Sequence, residues 1–164
     1  MWKNCFLALG LFVFSGCGVY SLSGANISGK TINIHTFQNR AANVVPSLAT
    51  NLSNKIRNQI LSQTGLAPVN TDDADYDLQC TITGYNVTVS GMQNQTTASQ
   101  NRLTISVEVT FTNHLDKKSD FKQTFSRFAD FPASQQLQSV ENDLIDKIGD
   151  QLSEDIFNKA FVNW

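Results

Sequence analysis

Strict alternation of apolar and polar residues is clearest in Arg102-Leu-Thr-Ile-Ser-Val-Glu-Val-Thr-Phe-Thr112. Leu103, Ile105, Val107, Val109 and Phe111 form one face; Thr104, Ser106, Glu108, Thr110 and Thr112 form the other. A period of two sends successive side chains to opposite sides of a strand, so the pattern predicts one buried and one wet face, as in an antiparallel sheet. Asp116-Lys117-Lys118 turns the chain, and residues 120–131 return with Phe121, Phe125 and Ala129 in register. Arg127 falls on the same, nominally apolar parity. It reads either as an edge residue whose stem covers apolar surface or as a positive contact for an anionic ligand. Residues 78–89 form another strand with a phase change. Leu78, Cys80 and Ile82 share one parity and Tyr85, Val87 and Val89 the other, with Gly84 at the switch. Such a glycine predicts a bulge that re-aims the second half. A further strand is expected over residues 30–37, where Ile32 and Ile34 alternate with polar residues.

Two segments switch to helical spacing. Leu48, Leu52, Ile56 and Ile60 recur every four residues; Pro46 suits the first turn and Gly65 the stop. The second helix is expected from Ser134, a candidate cap, with Leu137, Val140, Leu144, Ile148, Leu152 and Ile156 as its apolar stripe. Asp143, Asp146, Asp150, Glu154 and Asp155 lie outside that stripe and read as a solvated acidic face. Phe157, Phe161 and Trp164 follow helical spacing, so the aromatic C-terminus belongs to a helix and not to the last strand of a membrane barrel. The predicted fold is α+β: two helices packed on one face of a four-stranded, largely antiparallel sheet, in the order β-α-β-β-β-α.

The N-terminus follows neither period. Lys3 precedes the ten-residue apolar run Cys5-Phe-Leu-Ala-Leu-Gly-Leu-Phe-Val-Phe14, and Ser15-Gly16-Cys17 follows it. Ten helical residues span ~15 Å, half of a ~30 Å hydrocarbon core, so the run reads as a secretion signal and not a permanent span. The small-small-Cys ending resembles the lipobox of bacterial lipoproteins, with Phe14 where leucine is usual. The resemblance implies cleavage before Cys17 and a covalent lipid on it; the plainer alternative is an ordinary secretory signal with an incidental cysteine. The expected organisation is a signal peptide over 1–16, an acylated tether over 17–29 and one domain over 30–164. Fully extended, the tether keeps the domain within ~40 Å of the membrane.

Composition narrows the function. Without the first sixteen residues, eleven Lys and Arg oppose fourteen Asp and Glu. No basic stripe exists, so no nucleic-acid partner is expected. Charged residues make up 16% of the chain, against about 25% in an average domain, and Ser, Thr, Asn and Gln fill the gap. Such a surface is common in exported proteins; it also suits hydrogen bonding against another polar wall. With Cys17 lipidated, Cys80 has no intrachain partner, which excludes a disulfide framework and makes Cys80 a small core residue. Asp72, Asp73, Asp75 and Asp77 invite a calcium reading, but in the loop register from Asp73 the sixth position is Leu78 and the twelfth Gly84, where Gly and Glu are needed. No metal or cofactor is expected. His35 and His114 stand apart without a motif, and Glu108 is the lone acid of the strongest strand, so no enzyme is expected. Residues 90–100 are polar and uncharged and read as the longest loop.

The lipobox-like start, Asn101-Arg-Leu-Thr-Ile-Ser-Val-Glu-Val-Thr-Phe-Thr-Asn113, Phe125-Ser-Arg-Phe-Ala-Asp-Phe131 and Glu154-Asp-Ile-Phe-Asn-Lys-Ala-Phe-Val-Asn-Trp164 resemble the lipopolysaccharide-assembly lipoprotein (LptE) family, in particular its Bacteroidetes members. The resemblance covers nearly the whole mature chain. It implies an anchor in the inner leaflet of the outer membrane, facing the periplasm. It also implies a partner, the large β-barrel that delivers lipopolysaccharide to the cell surface, whose lumen such lipoproteins plug and whose assembly they aid. Gly18 after the cysteine agrees with release from the inner membrane. Basic residues near one end of the sheet contact lipopolysaccharide in relatives; the candidates here are Arg102 and Arg127 on the strands and Lys117 and Lys118 at the other turn. The alternative is a stand-alone periplasmic lipoprotein that binds a lipid or glycan in an apolar pocket.

Overall fold

A computed structural model describes residues 27–43, 45–93 and 97–162. The expected signal peptide, Cys17 and most of the expected tether lie outside these residues. Six strands and two long helices follow in the order β1 (Thr31–Ile34), β2 (Gln38–Asn39), α1 (Leu48–Thr64), β3 (Ala67–Val69), β4 (Tyr76–Gln93), β5 (Thr97–Asn113), β6 (Phe121–Pro132) and α2 (Leu137–Phe157). The class is the expected α+β with two helices. The strand count differs, because β2 and β3 are added. Both are two or three residues long, too short to leave a period in the sequence.

The sheet runs β3-β1-β4-β5-β6, with β2 beside β4. β4, β5 and β6 form an antiparallel meander; β1 lies parallel between β3 and β4. The phase change in β4 is resolved by a bulge between Ile82 and Gly84. Leu78 opposes Phe111, Ile82 opposes Val107, Tyr85 opposes Ile105 and Val87 opposes Leu103. One extra residue thus returns both apolar sets to the same face. A side chain at Gly84 would press on Ser106 at 3.2 Å.

That face is the core. Ile32, Leu78, Ile82, Leu103, Ile105, Val107 and Val109 are completely buried beneath Leu48, Leu52, Ile56 and Ile60 of α1 and Ile148, Leu152 and Ile156 of α2. Each such aliphatic side chain contributes ~1.5–3 kcal/mol through removal from water. α1 ends at Gly65, whose φ of 68° is the left-handed conformation that lets its N–H reach the Leu61 carbonyl. The helices touch at Gly149, where an added Cβ would stand 2.7 Å from Lys55 Cδ.

Three expected details differ. α2 begins at Leu137 after Gln136, with no side-chain cap; Ser134 lies in the preceding turn and does not cap it. α1 begins at Leu48 after Ser47, so Pro46 lies just outside the helix. The expected loop over 90–100 is mostly strand, since β4 runs to Gln93 and β5 starts at Thr97. Its Thr, Ser and Gln suit a wet two-stranded ribbon as well as a loop, and sequence polarity does not separate the two. At the C-terminus α2 passes into a π-turn over Asn158–Val162 that buries Phe161; Trp164 lies outside the described residues.

The start of β1 is clipped to β4. The Tyr76 hydroxyl accepts from the N–H of Ser28 (3.3 Å) and Gly29 (3.0 Å). The Asp75 carboxylate accepts from Lys30 N–H (2.6 Å), Thr31 N–H (3.0 Å) and the Thr31 hydroxyl (3.1 Å). Gly29 is required by the close approach, because a Cβ there would lie 2.5 Å from the Tyr76 ring. The Lys30 N–H, then the Thr31 N–H and hydroxyl, hold the Asp75 carboxyl below its ordinary value of 3.8. A depressed carboxyl stabilises the fold above its unfolded pKa, and that stabilisation is lost as pH falls through the folded pKa. Acid titration of the unfolding free energy is expected to fall below pH 3.8, and less steeply in Asp75→Asn. An identical acid limb in the variant would contradict this.

Candidate functional site

The two faces of the meander differ in kind. On the face away from the helices, β4 presents Asp77, Gln79, Thr81, Asn86 and Thr88. β5 presents Arg102, Thr104, Ser106, Glu108, Thr110 and Thr112, and β6 presents Lys122, Thr124, Ser126, Phe128 and Asp130. The period-two pattern of β5 puts its hydroxyls there because the opposite parity is committed to the core.

The basic side chains of this open face each meet a carboxylate among the described residues. Arg102 faces Asp130 directly in register and grips it through two bonds, Nε to Oδ1 at 2.7 Å and Nη2 to Oδ2 at 2.9 Å. The guanidinium also lies 3.6 Å from the centroid of the Phe128 ring, which is 47% exposed. The bond from Arg102 holds the Asp130 carboxyl below its ordinary range, with the Ser90 hydroxyl as a minor donor. Lys122 Nζ sits 3.1 Å from Glu108, and His35 Nε2 2.6 Å from Asp77. Ser106 and Ser126 share a hydroxyl–hydroxyl bond of 2.7 Å. The result is a hydroxyl-rich surface on which, among the described residues, Arg102 and Lys122 are each paired with a carboxylate and Asp77 is hydrogen-bonded to His35. Exposed pairs of this kind contribute about 0–1 kcal/mol each, so their effect is on surface charge more than on stability.

Arg127 occupies the core-side parity, opposite Ile105. It lies on the edge strand, extends past the core and binds Asp155 of α2 through Nε (2.5 Å) and Nη2 (2.6 Å). The expected acidic outer face of α2 is accordingly not wholly solvated: Asp155 binds Arg127, and Asp146 and Asp150 bind Lys55 of α1 at 2.7 and 2.5 Å. Arg102 and Arg127 therefore point to opposite faces of the sheet, and each already holds a carboxylate. Lys117 and Lys118 form a 3-10 turn at the far end of β5, exposed and without an ion-pair partner among the described contacts. At ~3.4 Å per strand residue they stand more than ~35 Å from Arg102. The structure does not bring the four basic candidates together.

Sequence reading missed Phe128, whose parity places an aromatic ring on the wet face, and its partner Asp130 opposite Arg102. The signal was present: Phe128 and Asp130 share the parity of Ser126 and Thr124. The His35–Asp77 pair left no signal, because it joins residues 42 apart across a parallel register.

Grooves at the surface are mixed, with polar and apolar walls. One of about 420 Å³ runs between the helices, lined by Asn51, Asn54, Lys55, Asn142, Asp143 and Asp146 beside Ile145. Between the layers the core side chains are at most 9% exposed, so no lipid-sized apolar slot opens there among the described residues. No group of His, Cys, Asp and Glu suited to a metal occurs among the described residues. Cys80 is buried in the core, and burial pushes its thiol up to about 12. It is expected to resist an uncharged maleimide in the folded protein and to react on unfolding. Rapid labelling under native conditions would contradict its placement.

The chain resembles the minor lipoprotein of Acinetobacter baumannii (TM-score 0.55, 15% identity, covering 81% of this chain and 93% of that one). It also resembles the rare lipoprotein B of Shewanella oneidensis (0.54, 10%, 77% and 91%) and an uncharacterised lipoprotein B of Nitrosomonas europaea (0.54, 14%, 87% and 88%). At these identities the likeness is one of fold. Comparison with curated proteins finds no match. The family model for lipopolysaccharide assembly, LptE, matches residues 29–160, from the clipped start of β1 into the π-turn. The chain belongs to the LptE family of lipopolysaccharide-assembly lipoproteins.

Proposed function

We propose that this protein is lipidated on Cys17, held on the periplasmic side of the outer membrane, and seated in the lumen of a β-barrel lipopolysaccharide translocon. There it plugs the barrel and helps it assemble and insert lipopolysaccharide. The family match supports the process. The observation that carries the seating is the open face of β4, β5 and β6, rich in hydroxyls and with its basic side chains paired to carboxylates. The inner wall of a large barrel is polar and wet. A face whose basic side chains already hold carboxylates can lie against it and exchange water for hydrogen bonds without stranding a lysine or arginine, whose burial would be costly.

The proposed organisation is a signal peptide over 1–16, a short tether from Cys17 to the clip at Ser28 and Gly29, and the domain that follows. Since the clip lies about a dozen residues after Cys17, the β1 end of the domain stays near the membrane.

The test is recovery of the tagged full-length lipoprotein from outer membranes in mild detergent. A large outer-membrane barrel is expected to co-purify in stoichiometric amount, and its maturation is expected to fail when the lipoprotein is depleted. Recovery of the lipoprotein alone, with normal barrel maturation in its absence, would overturn the proposal.

A further inference from the structure

The sheet has a long free edge at β6 and a short one at the far end of β4, and the chain treats them differently. β6 is the outermost strand on one side. It carries Lys122, Arg127 and Asp130 and ends at Pro132, and Arg127 is a charge on the core-side parity. Charged, inward-pointing and proline residues are the features that stop a second strand from adding to an edge. β4 is covered on its outer side by β1 and β2 as far as Ile82, and then by Asn43 Nδ2, which donates to the Tyr85 carbonyl at 3.3 Å. Beyond Tyr85, residues 86–89 pair only with β5 among the described residues, and Ser90 sits in the bulge that follows. All five are exposed, and Asn86, Val87, Thr88, Val89 and Ser90 include no charge and no proline.

The backbone there is ready to pair. The carbonyls of Leu78 and Ile82 accept from His35 and Arg40 on the outer side, and Tyr85 accepts from Asn43. Alternation then turns the N–H and C=O of Val87 and Val89 outward, while those of Thr88 face β5. The side chains of Val87 and Val89 are 43% and 57% exposed. They lie on the core-side face but beyond the helices, whose cover reaches Tyr85 through its hydroxyl bond to Glu141.

We propose that residues 86–90 form a strand-addition site that receives a short, extended, uncharged segment of the barrel partner, with apolar side chains set over Val87 and Val89. The identity of the partner rests on the function proposed above. A second copy of this chain is the poorer occupant. An edge of five residues buries about 300–400 Å² per side, well under the ~800 Å² per partner of a stable interface. Such an edge suits a partner already held close by other contacts. An uncharged segment fits because this stretch offers nothing to compensate a buried ion.

Amide hydrogen exchange of the full-length lipoprotein, free and in its complex with the barrel, tests this. The amides of Val87 and Val89 are expected to slow by at least about tenfold in the complex, while that of Thr88, already bonded to β5, changes little. A photoreactive residue at Asn86 is expected to crosslink to the barrel. The double variant Val87→Lys with Val89→Lys is expected to lower that yield at least about tenfold, and Asn58→Lys, on the exposed side of α1, is expected to leave it intact. A complex that stays whole with Val87 and Val89 unprotected would overturn the strand-addition site and leave the proposed function standing. Crosslinks between two copies of this chain would overturn it in favour of a dimer. Purification without any barrel would overturn both.

Discussion

Phe111→Ala is expected to lower the unfolding free energy by ~3–5 kcal/mol, a large part of the ~5–15 kcal/mol that holds a typical domain. Phe111 is 1% exposed and sits at the centre of an aromatic cluster. It stacks on Tyr76 at 5.8 Å and Phe121 at 5.5 Å, and meets Phe161 edge-on at 5.4 Å between ring centroids. Truncation removes the transfer free energy of the ring and leaves a void that three rigid neighbours cannot close. The damage has a direction. Tyr76 holds the N–H groups of Ser28 and Gly29, and Phe161 anchors the π-turn, so both ends of the domain depend on the ring between them. Urea denaturation measures the loss, and hydrogen exchange at Ser28 and Gly29 is expected to quicken with it. A loss below about 1 kcal/mol, the ordinary effect of a surface substitution or less, would show that the cluster does not bear on stability as argued.

Cys17→Ser is expected to move the protein from the membrane to the soluble periplasmic fraction with its melting temperature unchanged. Each buried CH₂ of an acyl chain contributes ~0.8 kcal/mol; one myristoyl chain binds only marginally, whereas two or more hold a protein firmly to one leaflet. No helix of the described residues is long and apolar enough to cross a membrane, so they offer no helical span to replace the lipid. Phase separation in a clouding detergent reads the outcome: the parent chain should enter the detergent phase and the variant the aqueous phase. A variant that stays with washed membranes and keeps an acyl label would place the lipid elsewhere. The described residues begin at Ile27, ten residues after Cys17, so loss of the anchor and loss of the fold are separable.

The strands and helices that carry a long apolar repeat were readable in advance. β5 alternates without a fault over ten residues, and the stripe of α1 at Leu48, Leu52, Ile56 and Ile60 is buried as spaced. Gly84 marked the bulge, because a change of parity within one strand has few other solutions. β2 and β3 were not readable, since two or three residues establish no period and owe their conformation to the strands they join. The start of α2 was misplaced for a related reason: Ser134 has the chemistry of a cap but lies in a turn, and the helix starts without one. Of the basic candidates, the sequence shows the charge and the parity but not the company. Arg127 reads equally as a ligand contact or an edge residue until Asp155, on an element 28 residues away, is placed beside it.

What the sequence by itself determined is therefore what depends on neighbours along the chain: the α+β class, the two helical stripes, the buried parity of β5, the wet parity rich in hydroxyls, and an N-terminal pattern ending at Cys17. Only the tertiary structure decided what depends on neighbours across it. It put Arg102 and Arg127 on opposite faces with Asp130 and Asp155 as their partners. It paired Lys122 of the open face with Glu108, and it left residues 86–90 as an uncovered edge while β6 was guarded. The physical reason is range. A hydrophobic period acts through residues two to four apart, whereas an ion pair or a free strand edge is defined by which distant element stands within about 4 Å of it.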